Sequence, residues 1–236
     1  MGREKIFRFK QFDVVNDRSA MKVGTDGVLL GAWCPVESAR RVIDVGTGCG
    51  VIALMIAQRN SEAHIDGIDI DQASIEEASL NFARSPWSDR LTAIQQDFND
   101  MEPEGHYDLV VSNPPYFTND ILPDGDARTT ARHTLSLTYR QLIEGASRLL
   151  TDDGVLALIS PTDAEGEINE AATFTSMPVW RLTRVIPVEG AAPKRTLWLL
   201  SRRTNPLHED TLIIAHADGT FSAEYHALTH PFYLKM

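Results

Sequence analysis

Short apolar stretches alternate with segments of helical periodicity along most of the chain, and this alternation most constrains the fold. The apolar runs predict strands at residues 41–46, 63–71, 91–97, 107–113 and 155–161. Helical spacing follows them at residues 51–59, 72–85, 139–150 and 166–174. This order predicts an α/β fold with a doubly wound, mostly parallel sheet.

The last third of the chain departs from that alternation. A loop rather than a helix separates two further apolar runs, 179–188 and 195–203, so we expect them to be antiparallel strands at one edge of the sheet. The stretch "TLIIAHADGTFSAEYHALT" has Asp218-Gly219 between two apolar runs. That dipeptide is typical of a tight turn and predicts a C-terminal β-hairpin.

The 236 residues fit one domain, since this is an ordinary length for a single α/β unit. We divide it into a small N-terminal extension, 1–34, a core, 35–205, and the hairpin segment, 206–236. No apolar run reaches the roughly 18 residues of a membrane span, and two cysteines are too few for a disulfide framework. We therefore expect a cytoplasmic protein without membrane contact.

A glycine-rich turn joins the first strand of the core to its helix. The stretch "DVGTGCG" contains Asp44 followed by Gly46, Gly48 and Gly50. Glycines allow a tight turn and let a ligand approach the backbone without meeting a Cβ. Asp69, about 20 residues further on, ends the next strand, where nucleotide-binding α/β folds carry a ribose-binding carboxylate. Together they predict a nucleotide-type cofactor site.

The glycine spacing also indicates which cofactor binds. It is not the G-x-G-x-x-G of dinucleotide sites, and the acid before the turn suits a ligand with a cationic amino-acid end. The turn resembles the first motif of S-adenosylmethionine-dependent methyltransferases, which implies S-adenosylmethionine and a Rossmann-like class I methyltransferase fold. The resemblance further implies that Asp97 accepts from the adenine amino group, that Phe98 packs on the ring, and that Ile70 joins the cofactor contacts.

The segment before the first core strand, "MKVGTDGVLLGAW", resembles the cofactor-covering segment of bacterial amino-methyltransferases. In it, Thr25 and Asp26 read as the N-cap of an apolar helix. The resemblance implies that both contact the methionine end of the cofactor.

The strand that ends near residue 113 is followed by Asn113-Pro114-Pro115-Tyr116, at the edge where open α/β sheets bind ligands. The prolines fix φ and remove two N–H donors, so the local carbonyls become rigid acceptors. With the Asn113 side chain they can hold the two hydrogens of a planar amine, while Tyr116 stacks on the ring. Such acceptors stabilise the charge that develops on nitrogen during in-line methyl transfer, and no metal is needed. We predict these four residues to be the catalytic group.

The same four residues resemble the [DNS]-P-P-[YFW] signature of amino-methyltransferases, which methylate adenine N6, guanine N2 or the amide of protein glutamine. The stretches "FRFKQFDVVND", "ARHTLSLT" and "FYLK" are similar to those of the bacterial tRNA1(Val) adenine-N6 methyltransferases, which modify the adenine beside the anticodon. This resemblance covers nearly the whole chain. It implies methyl transfer to adenine 37 of tRNA1(Val).

The predicted substrate contacts lie in three places. The candidate residues are Tyr116, Phe117, Arg132, His133, Lys194 and Arg195. Arg132 is a candidate for a phosphate contact, and His133 either contacts the base or orders its loop. Two basic clusters, "REKIFRFK" and Lys194-Arg195 with Arg202-Arg203, are candidates to grip the RNA stem. The net charge of −11 argues against non-specific nucleic-acid binding but leaves a specific substrate open.

Other functions remain open at this point. A protein-glutamine methyltransferase shares the four-residue motif but normally has a separate N-terminal helical domain, and only about 40 residues precede the glycine turn here. A guanine-N2 rRNA enzyme tends to have a longer or duplicated architecture. A nicotinamide-dependent oxidoreductase and a non-catalytic module of the same fold agree less well with the glycine spacing and with Asn113-Pro114-Pro115-Tyr116.

Overall fold

The computed structural model describes residues 5–19, 21–102, 107–115, 137–203 and 205–235. Its strands are β1 (Ile6–Arg8), β2 (Asp13–Val15), β3 (Arg41–Val45), β4 (His64–Asp69), β5 (Leu91–Gln95), β6 (Tyr107–Ser112), β7 (Leu150–Pro161), β8 (Val179–Val188), β9 (Arg195–Ser201) and β10 (His208–Ala215). Its α-helices are α1 (Thr25–Trp33), α2 (Val51–Arg59), α3 (Gln72–Arg84), α4 (Tyr139–Leu149), α5 (Glu165–Phe174) and α6 (Ala223–Thr229). None of these described helices is long and apolar enough to cross a membrane.

Eight strands form one sheet in the order β10-β8-β9-β7-β6-β3-β4-β5. Within it β9 runs antiparallel to both of its neighbours, and the other seven strands are parallel to one another. The predicted doubly wound, mostly parallel α/β fold is therefore confirmed. The antiparallel relation of the two long strands is also confirmed, but β9 lies between β7 and β8 rather than at the edge.

The central strands are buried on both faces because helices cover both. On β3, Val42 faces a core shared with α1, α2, α3 and α6, and Ile43 faces a second core shared with α4 and α5. The helical stretch 51–59 agrees with this position, since its first seven residues are all buried. Apolar runs on both faces are what parallel strands between two helical layers require.

The predicted C-terminal hairpin is wrong. The strand β10 pairs in parallel with β8, so its partner lies earlier in the chain rather than beyond the turn. The turn itself exists, with Gly219 at φ 85°, but the return segment makes only one isolated bridge, between Ala215 and Phe221. The hydroxyl of Ser222 then accepts a hydrogen bond from the Tyr225 amide, which starts α6.

A separate two-stranded sheet, β1-β2, precedes the core. It is tied to α3, where the side chain of Asn81 accepts from the Val15 amide and donates to the Val15 carbonyl. It is also tied to the chain's other end by an isolated bridge between Phe9 and Tyr233. The N-terminal extension is thus docked on the core.

Candidate active site

The carboxyl ends of β3, β4 and β6 meet at one edge of the sheet, because the three strands are neighbours and parallel. Two adjoining cavities, of about 200 and 270 Å³, open there. Asn113, Gly46, Gly48 and Met21 line both of them. The edge therefore presents a continuous cleft with Asn113 at the junction of its two halves.

The glycine turn forms the floor of that cleft. Gly46, Gly48 and Gly50 have φ of 71°, 56° and 82°, values that favour glycine. A Cβ on Gly46 or Gly48 would meet no atom within 4 Å, whereas one on Gly50 would lie 2.5 Å from Cε1 of Phe82. The first two glycines thus leave open space for a ligand, and Gly50 instead allows α3 to pack against the start of α2.

Asp44 lies beneath the turn and is fully buried. Its Oδ2 accepts a hydrogen bond of 2.7 Å from the hydroxyl of Thr47. Burial raises the pKa of Asp44 to about 7, and the hydrogen bond from the Thr47 hydroxyl partly opposes this shift. Asp44 lines neither cavity. In this arrangement it stabilises the glycine turn through its hydrogen bond with Thr47.

Asp69 ends β4 and lines the first cavity. It accepts from the Gly48 amide through Oδ2 and from the Asp71 amide through Oδ1, each at 3.0 Å. Burial raises its pKa, and these two backbone donors oppose the shift. The two hydrogen bonds therefore fix the orientation of this carboxylate at the first cavity. Ile70 follows it with 41% of its surface exposed, an apolar wall for the same cavity.

Asp97 and Phe98 also line this cavity. The Asp97 side chain accepts from the Asn99 amide and starts a short 3₁₀ turn. Phe98 is almost fully buried, and its ring lies so close to Gly145 of α4 that no Cβ would fit there. One edge of the ring is therefore fixed by α4 while the residue still borders the cavity.

Asn113 and Pro115 line the cleft where β6 ends. Just before them, the Ser112 hydroxyl donates to the Val45 carbonyl at 2.8 Å, which joins the ends of β6 and β3. Pro114 is buried and Pro115 is exposed. A Cβ on Gly27 of α1 would lie 4.0 Å from Nδ2 of Asn113, so the Asn113 side chain lies beside that helix.

Four of the predicted residues lie outside the described part of the chain. They are Tyr116, Phe117, Arg132 and His133. Their predicted roles stay predictions.

The second cavity is bordered by the start of α1. The helix begins at Thr25 with Gly24 at the N-cap and no side-chain cap, so the predicted capping by Thr25 and Asp26 is wrong. Asp26 instead pairs with Arg195, at 2.8 Å from Oδ2 to Nε. Thr25, Asp26 and Asn113 all line this cavity, and the predicted contact of Thr25 and Asp26 with the cofactor stays a prediction.

Basic residues lie at both ends of β9. Because β9 is antiparallel to β7, Arg195 pairs with Pro161 at the same end of the sheet as Asn113. Lys194 precedes it in an exposed position. Arg202 and Arg203 lie about 20 Å away at the other edge, given the rise per strand residue. There they contact the Ser147 carbonyl and the Asp153 carboxylate, respectively.

Residues 17–19, which lead toward the cleft, have an anchor that was not predicted from the sequence. Glu77 of α3 is almost fully buried and accepts from the amides of Asp17, Arg18 and Ser19. Its burial raises the pKa, but these backbone donors outweigh that effect and hold the pKa below its usual value. The available signal was a charged residue among the buried positions 74, 77, 78 and 81 of an amphipathic helix.

The chain matches known proteins over its whole length. The family model for the methyltransferase small domain matches residues 19–177. A tRNA1(Val) (adenine(37)-N6)-methyltransferase of Aeromonas salmonicida (strain A449) is 46% identical over 237 residues, which cover 100% of both chains. One of Bacteroides fragilis (strain YCH46) is 43% identical over 236 residues, 99% of both chains.

Solved structures agree with this match at the level of the fold. The crystal structure of a predicted O-methyltransferase, protein Atu636 from Agrobacterium tumefaciens, has a TM-score of 0.71 at 20% identity and covers 88% of this chain and 96% of that one. A ribosomal protein L11 methylase from Lactobacillus delbrueckii subsp. bulgaricus has a TM-score of 0.53 at 20% identity, with 75% and 78% covered. The architecture is that of class I methyltransferases. The chain belongs to the methyltransferase small domain family.

Proposed function

We propose that the chain transfers a methyl group to the N6 amine of adenine 37 in tRNA1(Val). The observation that carries this is the position of Asn113, which directly follows β6 and lines both halves of the cleft. One half has the features of a nucleoside site, and the other lies beside α1. Full-length relatives at 43–46% identity bear the name of this activity.

The methyl donor is S-adenosylmethionine, as the family and the fold imply, and the first cavity fits its adenosine part. The open space above Gly46 and Gly48 admits a ligand directly onto the turn. Asp69 would accept from the ribose hydroxyls, and Asp97 from the adenine amino group. Ile70 and Phe98 would border the two faces of the ring.

The second cavity fits the methionine end. Asp26 offers a carboxylate for an ammonium group, and its ion pair with Arg195 fixes the direction of that carboxylate. Thr25 adds a hydroxyl at the first position of α1. Asn113 would then lie where the two parts of the cofactor join, next to the reacting carbon.

When bound, S-adenosylmethionine supplies an electrophilic methyl group. The chain's own contribution is to hold the target amine. The Asn113 side-chain oxygen and the Pro114 carbonyl would each accept one of its hydrogens, so that the nitrogen lone pair is directed at the methyl group. Ser112 fixes this pair by bonding to Val45 across the strand ends. Acceptors placed in advance stabilise the positive charge that develops on nitrogen, and correct placement supplies much of the remaining acceleration.

Substrate contacts around the cleft complete the proposal. Tyr116 and Phe117 would stack on the extruded adenine, and Arg132 and His133 would contact the nucleotide. An anticodon-loop base is unpaired, so only unstacking opposes its entry. Lys194 would meet a phosphate at the rim, while Arg195 acts chiefly through Asp26.

Labelling with tritiated S-adenosylmethionine tests the proposal. The wild-type protein, incubated with bacterial RNA and protein fractions, should label the tRNA fraction. Asn113→Ala should lower labelling at least a hundredfold yet keep S-adenosylhomocysteine affinity within about threefold. Asn169→Ala, on the exposed face of α5, is the matched control and should remain active. Label in protein alone, or full activity of Asn113→Ala, would refute the proposal.

A further inference from the structure

One part of the surface concentrates positive charge in a chain whose net charge is −11. We call it the terminal face, and it consists of residues 5–13, the C-terminal end of α3 and residues 230–235. Its exposed cationic residues are Lys5, Arg8, Lys10, Arg84 and Lys235. Carboxylates that contact the described residues of this face include Asp13, which lies 3.7 Å from Arg8, and Asp17, which accepts from the Lys5 amide.

The terminal face is built on a rigid aromatic layer. Phe9 stacks with Phe12 at 4.6 Å and with Tyr233 at 6.0 Å between ring centroids. The Lys10 amide donates to the Phe232 carbonyl at 2.8 Å, and its Nζ donates to the His230 carbonyl at 2.7 Å. The two ends of the described chain are thus joined, and the cations are presented from an ordered surface rather than from flexible tails.

A continuous segment leads from the terminal face to the cleft. It runs antiparallel to α3. The Val15 amide donates a hydrogen bond to Asn81, and the amides of residues 17–19 donate to Glu77. Met21 then shares the first cavity with Ser74. Ten residues of helix separate Ser74 from Arg84, so the face lies about 15 Å from the cleft. Exposed Arg18 and Lys22 lie on this segment, where Arg18 pairs with Glu76 at 3.0 Å.

We propose that the terminal face binds the phosphate backbone of the tRNA whose adenine occupies the cleft. This rests on the proposed function and names the docking surface for the same substrate. A polyanion gains affinity from several cations in a row because each neutralised phosphate releases counterions. The separation of about 15 Å between the face and the cleft matches a substrate that extends well beyond one nucleotide. Local positive charge accounts for RNA binding by a chain that is acidic as a whole.

Paired triple variants test this surface. Arg8→Gln/Lys10→Gln/Arg84→Gln removes three charges from the terminal face. Its matched control, Arg40→Gln/Arg41→Gln/Arg148→Gln, removes three exposed charges at the end of the sheet opposite the cleft, so the net charge of the two proteins is equal. The face variant should bind a tRNA1(Val) transcript at least tenfold more weakly. Its slope of log affinity against log salt should fall by about 2–3, since each lost phosphate contact contributes about 0.7–0.9.

The remaining readouts separate this proposal from the proposed function. S-adenosylhomocysteine affinity should be equal in both variants and the wild type. If the wild type methylates the transcript but the face variant binds it as the control does, the terminal face is not the docking surface. If the wild type methylates no tRNA, the proposed function itself is wrong.

A measurement on the unaltered protein covers the case in which the triple variant does not fold. Acetic anhydride should modify Lys5, Lys10 and Lys235 readily in the free protein. Saturating tRNA1(Val) transcript should reduce their modification at least fivefold, and S-adenosylhomocysteine alone should not. Equal modification with and without the transcript would overturn the proposal.

Discussion

Alanine substitutions at Gly48 and Gly50 of the turn should rank in opposite order for loss of protein stability and loss of cofactor affinity. Gly48 and Gly50 both have positive φ, and an alanine in that region costs about 1–2 kcal/mol. A Cβ at Gly50 would also lie 2.5 Å from the buried Phe82 ring, and such overpacking adds about 1–3 kcal/mol. Gly50→Ala should therefore destabilise the protein by about 2–5 kcal/mol, and Gly48→Ala by only about 1–2 kcal/mol.

Cofactor affinity should follow the reverse order. The Cβ of Gly48→Ala would project into the open cleft, so S-adenosylhomocysteine binding should weaken at least tenfold. Where Gly50→Ala remains folded, its Cβ points into the protein and binding should change less than threefold. Urea unfolding gives the stabilities, and isothermal titration calorimetry gives the affinities. Equal stabilities, or undiminished binding by Gly48→Ala, would refute the division of the turn into a ligand side and a packing side.

Three further substitutions test the supports of the cleft. Glu77→Gln should lower the free energy of unfolding by about 1–3 kcal/mol at pH 7, with Glu76→Gln as a nearly neutral control. Because the pKa of Glu77 is depressed in the fold, the difference in stability between wild type and Glu77→Gln should vanish as acidic pH protonates Glu77. A difference that persists at acidic pH would contradict the role of the Glu77 carboxylate as an anchor. The pKa of Asp44 is raised by burial to about 7, so its stabilising effect is greatest at low pH and is lost as pH rises through that value. Between pH 5 and pH 8, the free energy of unfolding of the wild type should fall by about 3 kcal/mol more than that of Asp44→Asn in urea unfolding. Equal falls in the two proteins would show that Asp44 does not titrate in this range. Gly145→Ala should displace the Phe98 ring toward the first cavity and weaken S-adenosylhomocysteine binding by calorimetry; unchanged affinity would mean that Phe98 does not border the ligand.

The sequence predicted the core elements closely because local periodicity and packing agree there. The helix at 51–59 and the strand β8 have the predicted bounds, because the apolar pattern of each segment agrees with the way it packs. The C-terminal region is different. Asp218-Gly219 does make a turn, but whether the strand before it pairs forward or back is decided by β8, which is distant in the sequence.

The candidate site shows the same division. Strand ends and glycines could be located from the sequence, so Asp69, Asp97 and Asn113 were predicted to share one edge, and the structure brings them to one cleft. Long-range contacts could not be read in this way. The pairing of Arg195 with Asp26 spans 169 positions, and it joins a predicted RNA-binding residue to a residue that lines the second cavity.

The central claim is that Asn113 directs the adenine amine in tRNA toward the methyl donor. Mass spectrometry of nucleosides from a tRNA1(Val) transcript, treated with enzyme and S-adenosylmethionine, tests it most directly. We expect N6-methyladenosine at position 37 with the wild type and none with Asn113→Ala, although both bind S-adenosylhomocysteine. Methylation at another atom or position by the wild type, or N6-methyladenosine made at an undiminished rate by Asn113→Ala, would contradict the account.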